Sequence, residues 1–97
     1  MINQGSLFMP QNLLILGGTS EASSLAHLIS KTEFNATISY AGRVERIRQQ
    51  PIKKRIGGFG GVEGLASYII SNGITHLIDA THPFAEQMSQ NAILACQ

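Results

Sequence analysis

The sequence predicts an α/β fold: a Rossmann-like open parallel sheet of about four strands with flanking helices. Three observations predict it. Short apolar or β-branched runs alternate with stretches of helical periodicity, the signature of successive βα units. The first such run passes directly into a glycine turn with helix-start residues behind it. The last periodic stretch, Asn91 to Gln97, carries no Gly, Pro or closing charge. Four strands and three helices therefore read as half of a doubly wound sheet, and the chain as a truncated part of a longer protein.

Leu13-Leu14-Ile15-Leu16 is a run of four apolar residues and reads as a buried strand. Gly17 and Gly18 allow a tight turn, and Thr19, Ser20 and Glu21 begin a helix from Ser20 to about Lys31. Ala22, Leu25, Ala26 and Ile29 fall at i, i+3, i+4 and i+7 and form one apolar stripe. Thr19 or Ser20 caps this helix, Glu21 suits its positive end, and His27 falls off the stripe and is expected to be exposed. Ala36 to Tyr40 is the second strand, ending at Ala41-Gly42-Arg43. Val44 to Gln50 reads as one or two helical turns stopped by Pro51, and Ile52 to Ile56 as a short strand.

A glycine-rich segment, Gly57-Gly58-Phe59-Gly60-Gly61, precedes a helix over Val62–Ile70 with stripe residues Val62, Leu65, Ala66 and Ile69. Asn72-Gly73 ends that helix through a left-handed glycine. Ile74 to Asp79 is the fourth strand, with Leu77 and Ile78 buried and His76 structural near its start. Pro83 suits the first turn of the last helix, where its missing N–H is harmless. That helix continues through Met88 and Ala92. Residues 1–12 read as an irregular leader and residues 13–97 as one N-terminal dinucleotide-binding domain.

Composition limits the function classes. Ninety-seven residues allow one domain, and a 43% apolar content is that of a globular protein. No run approaches the roughly 18 apolar residues of a membrane span. Met1 to Asn12 lacks the basic-then-apolar pattern of a secretory signal. A lone Cys96 excludes an internal disulfide and fits a reducing cytoplasm. It reads as a small buried apolar residue rather than a catalytic thiol, and no metal site is expected. Six of the seven basic residues are Arg43, Arg46, Arg48, Lys53, Lys54 and Arg55, opposed locally only by Glu45. This stretch is either a solvated loop or a patch for phosphates or a polycarboxylate. It lacks the interleaved aromatics of a nucleic-acid groove.

Strand, glycine turn and helix start together form a site for phosphate. Free N–H groups at a helix N-terminus point at the ligand, and glycine has no Cβ to hold it away. Gly17, Gly18, Thr19, Ser20 and Glu21 are the cofactor-binding candidates. Thr19 and Ala22 fill the second and third glycine positions of the usual G-x-G-x-x-G fingerprint, so the turn also fits a purely structural role. About twenty residues on, where an NAD-type half carries an acid for the ribose 2′-hydroxyl, Arg43 stands instead. An arginine fork suits a 2′-phosphate, which favours NADPH, with NADH as the other possibility. The alternative is that Arg43 is one more solvated base. The glycines of Gly57–Gly61 let the backbone approach a cofactor, a substrate or a neighbouring helix, which makes Gly60 and Gly61 substrate-binding candidates. Thr81 and His82 follow the fourth strand, at the sheet edge where open α/β folds carry their ligand crevice. A capping role for Thr81 and a plain loop position for His82 are the bland alternatives.

Four segments in order carry a family resemblance. They are Ile15-Leu16-Gly17-Gly18-Thr19-Ser20-Glu21-Ala22, Ala41-Gly42-Arg43, Arg55-Ile56-Gly57-Gly58-Phe59-Gly60-Gly61 with Gly64-Leu65, and Ile78-Asp79-Ala80-Thr81-His82-Pro83-Phe84-Ala85. Together they resemble the N-terminal half of precorrin-6A reductase of cobalamin biosynthesis, including its cobalt-precorrin-6A counterpart. The resemblance implies half of a two-domain enzyme, with the active site between two Rossmann-like halves. It implies hydride reduction of one double bond in a tetrapyrrole-derived macrocycle by a nicotinamide cofactor. Gly17 to Glu21 would then hold the cofactor phosphates, Arg43 would lie near the 2′-phosphate, and Thr81 and His82 near the nicotinamide or the macrocycle. His82 is the titratable candidate for a proton donor, hence the catalytic candidate of this half. The missing C-terminal half would be needed for turnover. Two other readings are a nucleotide-binding module without catalysis and an interaction protein that pairs through its open sheet edge.

Overall fold

Leu13–Leu16 is apolar at every position because both faces of its strand are covered. In the computed structural model, which describes residues 11–42, 50–82 and 85–97, strand β1 runs over Asn12–Leu16. Successive side chains of a strand point to opposite faces. Leu13 and Ile15 therefore join one apolar cluster, and Leu14 and Leu16 join the other. Leu14 and Ile15 are fully buried, each stabilising the fold by about 1.5–3 kcal/mol relative to exposure.

Helix α1 (Ser20–Ile29) follows the glycine turn. Its stripe residues Ala22, Ala26 and Ile29 are buried as the periodicity requires, and His27 is exposed. Strand β2 (Asn35–Tyr40) lies parallel to β1, with Leu13 beside Ala36 and Ile15 beside Ile38. Strand β3 (Lys53–Ile56) lies parallel to β2. Helix α2 (Gly61–Ser71) then crosses to strand β4 (His76–Asp79), which pairs parallel with the other side of β1. The sheet order is β3-β2-β1-β4. Helix α3 (Glu86–Ala95) ends the chain order.

The expected Rossmann-like parallel sheet of four strands flanked by helices is thus the observed architecture. The chain moves outward from β1 to β3 and then reverses to β4. Crossovers of one hand put helices on opposite faces when the direction reverses. Accordingly α1 packs on the face of Leu13 and Ile15, whereas Leu65 of α2 and Ala92 of α3 pack on Leu14 and Leu16. The reversal leaves a switch point between β1 and β4 at the carboxyl edge of the sheet.

Several expectations shift. The first strand begins at Asn12, one residue early, because Asn12 pairs with Asn35 of the neighbouring strand. The last helix runs from Glu86 with Ala85 as its N-cap, and the Ala85 N–H bonds the His82 carbonyl at 2.8 Å. Leu77 and Ile78 are only half-buried, since β4 is an edge strand. Cys96 is exposed, not buried: it is the C-cap of α3, past the last helical turn. Arg43, Glu45, Arg46 and Arg48, the turns expected over 44–49, Pro83 and leader residues 1–10 lie outside the described residues. Gln50 belongs to no regular element. Its amide instead donates to the Ser23 and Tyr40 hydroxyls at 3.1 and 2.8 Å. No helix among the described residues is long and apolar enough to cross a membrane.

Candidate functional site

The carboxyl ends of all four strands converge on one small cleft of about 40 Å³. Its walls are Leu16 and Gly17 after β1, Ser39 and Ala41 from the end of β2, Gly57, Gly58 and Phe59 after β3, Thr81 after β4, and Met88 of α3. The cleft sits where open α/β sheets carry their ligands, outside the strand ends at the switch point.

The two turn glycines serve different purposes. A Cβ on Gly17 would stand 2.7 Å from Ile38 Cγ1 and 2.9 Å from Cδ1, so glycine here lets β1 pack against β2. The Gly17 N–H bonds the Ser39 carbonyl at 2.8 Å. Gly18 has φ +116°, and a Cβ there would meet nothing within 4 Å. It opens onto free space, and its conformation is one that side chains avoid.

Thr19 is the N-cap of α1. Its Oγ1 accepts the Ala22 N–H at 3.1 Å and donates to the Ala80 carbonyl at 2.7 Å. The first N–H groups of a helix have no intrahelical acceptor. Thr19 satisfies that of Ala22 and leaves those of Ser20 and Glu21 without a protein acceptor among the described residues. Both side chains are exposed, and the Ser20 hydroxyl donates to the Glu21 carboxylate at 2.7 Å.

The segment after β4 is organised by Asp79. Its Oδ1 accepts the Thr81 N–H at 3.1 Å and the Thr81 hydroxyl at 2.6 Å, and its Oδ2 accepts the Ser89 hydroxyl of α3. Partial burial pushes the Asp79 carboxyl up, but the bonds from Ser89 and Thr81 outweigh it and leave the pKa below the usual aspartate value. Thr81 therefore does not cap α3; its hydroxyl is held by Asp79, and its residue lines the cleft. His82 is exposed beside it.

Of the sequence candidates, Gly17 and Thr81 are brought together on the cleft wall. Gly18, Thr19, Ser20 and Glu21 stand on the adjoining turn and helix start. Gly60, with φ +87°, is the N-cap of α2, and Gly61 is its first residue; neither lines the cleft. The glycines that do are Gly57 and Gly58.

Two residues that shape the site escaped the sequence reading. In the sequence Asp79 reads as a strand end and as part of a family segment, although an Asp two residues before a Thr is the pattern of a side-chain-closed turn. Arg55 reads in the sequence as part of the basic stretch and as the first residue of a family segment. It is half-buried, and its guanidinium bonds Ser39 Oγ, the Gly57 carbonyl and the Gly58 carbonyl at 3.1, 2.7 and 3.1 Å. An arginine two residues before a glycine-rich loop is the available signal, since the glycines leave carbonyls bare and have no side chains of their own to hold them. Among the described residues, no group of three or more His, Cys, Asp or Glu side chains gathers to hold a metal ion.

Comparison with known proteins bears on the whole of this arrangement. The sequence profile of the family described as precorrin-6x reductase CbiJ/CobK matches residues 12–97. The chain is 57% identical over 84 residues to the precorrin-6A reductase of Rhodobacter capsulatus, covering 87% of this chain and 34% of that protein. It is 34% identical over 83 residues to the cobalt-precorrin-6A reductase of Priestia megaterium, covering 84% of this chain and 32% of that one. A solved structure of a CobK precorrin-6A reductase is similar with a TM-score of 0.86 and 56% identity, over 89% of this chain and 34% of the other. The chain spans about a third of the length of these relatives. With the profile covering every strand, every helix and every residue of the cleft wall, this chain belongs to the precorrin-6x reductase family.

Proposed function

We propose that this chain is the nucleotide-binding portion of a reductase that delivers hydride from NADPH to one carbon–carbon double bond of a tetrapyrrole-derived macrocycle. The observation that carries this reading is the family match, which includes all the residues that wall the cleft. The relatives are named for precorrin-6A and for cobalt-precorrin-6A, so both forms of the macrocycle belong to the reading. The rest of the reductase supplies the other side of the site, and the reaction takes place in the cytoplasm.

The residues present fit a dinucleotide. Gly18 leaves the space outside its turn empty, and the N–H groups of Ser20 and Glu21 have no protein acceptor among the described residues. In this reading Gly17 to Glu21 hold the cofactor phosphates. Arg43, three residues past the end of β2, takes the 2′-phosphate with its fork. The nicotinamide, when bound, supplies the hydride. Thr81 borders the nicotinamide or the macrocycle. Gly60 and Gly61 extend the Gly57–Phe59 wall on the macrocycle side. His82 gives a proton to the carbon next to the one that takes the hydride, so that the reduced bond gains one hydride and one proton.

The test is calorimetric titration with NADPH and with NADH, at low and moderate salt, of this chain and of the full-length reductase that contains it. NADPH should bind at least about tenfold more tightly, the effect of one charge-assisted contact, and its affinity should weaken with salt. Arg43→Ala should bring the two affinities together; an unchanged ratio removes the 2′-phosphate assignment. Absence of binding by the full-length protein overturns the reading.

A further inference from the structure

We propose that Arg55 is a positioning residue for the cleft: it holds the Gly57-Gly58-Phe59 wall in place and so sets ligand affinity without touching the ligand. This rests on the reading of the cleft as the ligand site. Arg55 is not itself a wall residue, but its guanidinium contacts four residues that are. It bonds Ser39 Oγ at 3.1 Å, the Gly57 carbonyl at 2.7 Å and the Gly58 carbonyl at 3.1 Å. Its carbon lies 3.8 Å from the centre of the Phe59 ring and 5.0 Å from that of Tyr68.

The wall needs such a clamp. Gly57 has φ +121°, Gly60 +87° and Gly61 +76°, and a Cβ on Gly57 or Gly58 would meet nothing within 4 Å. Glycines lose more freedom on ordering than any other residue, and these two have no side chain with which to anchor. The planar guanidinium answers both problems. One nitrogen reaches β2 and the Gly57 carbonyl, the other reaches Gly58, and the flat face lies on Phe59. Phe59 in turn meets Tyr68 of α2 edge-on, with ring centres 5.2 Å apart. The clamp therefore joins β2, β3, the wall and α2. A lysine keeps the charge but has one compact ammonium, without the fork or the flat face. Arg55→Lys thus separates wall geometry from charge.

The experiment compares wild type and Arg55→Lys in the full-length reductase. Three quantities are read: amide hydrogen exchange across residues 57–61, melting temperature, and kcat and KM for nucleotide and macrocycle. The expected result is exchange at 57–61 faster by about tenfold or more, with the strands unchanged, and KM for one ligand or both raised about tenfold with kcat within about twofold. Unchanged exchange at 57–61, or a general loss of protection with KM unaltered, overturns the proposal. Should Arg55→Lys not fold, Ser39→Ala removes one of the three bonds and is expected to shift the same two quantities by a few-fold; no shift overturns the proposal equally. The exchange reading needs no ligand. If wild type binds no nucleotide, the functional reading fails while the clamp on the wall is still tested.

Discussion

The hydroxyl of Thr19 donates to the carbonyl of Ala80, sixty-one positions along the chain, at 2.7 Å. The same oxygen accepts the Ala22 N–H at 3.1 Å. One side chain therefore starts α1 and pins it to the end of β4, on the two sides of the switch point. Thr19→Val keeps the shape and removes both bonds. The expected loss is about 1–2 kcal/mol, from a missing cap and an unpaired part-buried carbonyl. Urea denaturation should show a lower midpoint with an unchanged slope.

The adjacent turn glycines are expected to fail for different reasons. Gly17→Ala drives a methyl group into Ile38, an overpacking worth about 1–3 kcal/mol. Gly18→Ala meets no atom but must hold a positive φ, at about 1–2 kcal/mol. A double-mutant cycle with Ile38→Val distinguishes them. Coupling of at least about 0.5 kcal/mol is expected for Gly17 and none for Gly18. Nucleotide affinity should fall more in Gly18→Ala, whose methyl group fills the open side of the turn.

Asp79 gives the protein a definite acid response. Its pKa is lower in the folded chain than the ordinary unfolded value. The ionised carboxylate therefore stabilises the fold above the unfolded pKa, and that contribution is lost as pH falls through the folded pKa. The window lies below about pH 4. Asp79→Asn should be less stable than wild type at pH 7 and by the same margin at pH 5, with the difference shrinking only below about pH 4. Denaturant midpoints at pH 7, 5 and 3 measure it; a difference that stays constant would assign the stabilisation to shape alone.

Gly64 lies inside α2, where a Cβ would overlap the Phe59 carbonyl oxygen. The obstacle is backbone, so it cannot swing aside. Gly64→Ala is expected to lose about 3 kcal/mol and to displace the Phe59 wall. Urea melts should show the first effect. Faster hydrogen exchange at 57–61, without a change at 35–40, should show the second.

Most of the architecture was legible along the chain. Leu13 to Leu16 announced a strand buried on both faces, and Ala22, Leu25, Ala26 and Ile29 announced the face of α1. Thr19 was one of two caps expected and is the one used. Such features depend on periodicity and on residues next to each other. The start of α3 was not legible. The chain leading to it is held by the Ala85 bond to the His82 carbonyl and by the Ser89 bond from α3 back to Asp79, neither of which the local pattern spells out. Arg55 looked like one of six clustered bases, because nothing local says that its fork will meet Ser39 on the neighbouring strand.

The residue order by itself determined the strands and helices, the glycine turn after β1 and, through its four ordered segments, the family. Side-chain period and turn chemistry are properties of a few adjacent residues and survive in one dimension. Only the tertiary structure decided what each polar group and glycine does. It separated Gly17, needed for packing on Ile38, from Gly18, needed for an open turn. It put Gly57 and Gly58 in the cleft wall and Gly60 and Gly61 at the start of α2. It turned Arg55 from a surface charge into a brace. Such roles depend on which atoms the parallel pairing of the four strands brings within hydrogen-bond or packing distance, and that juxtaposition exists only once the sheet has formed.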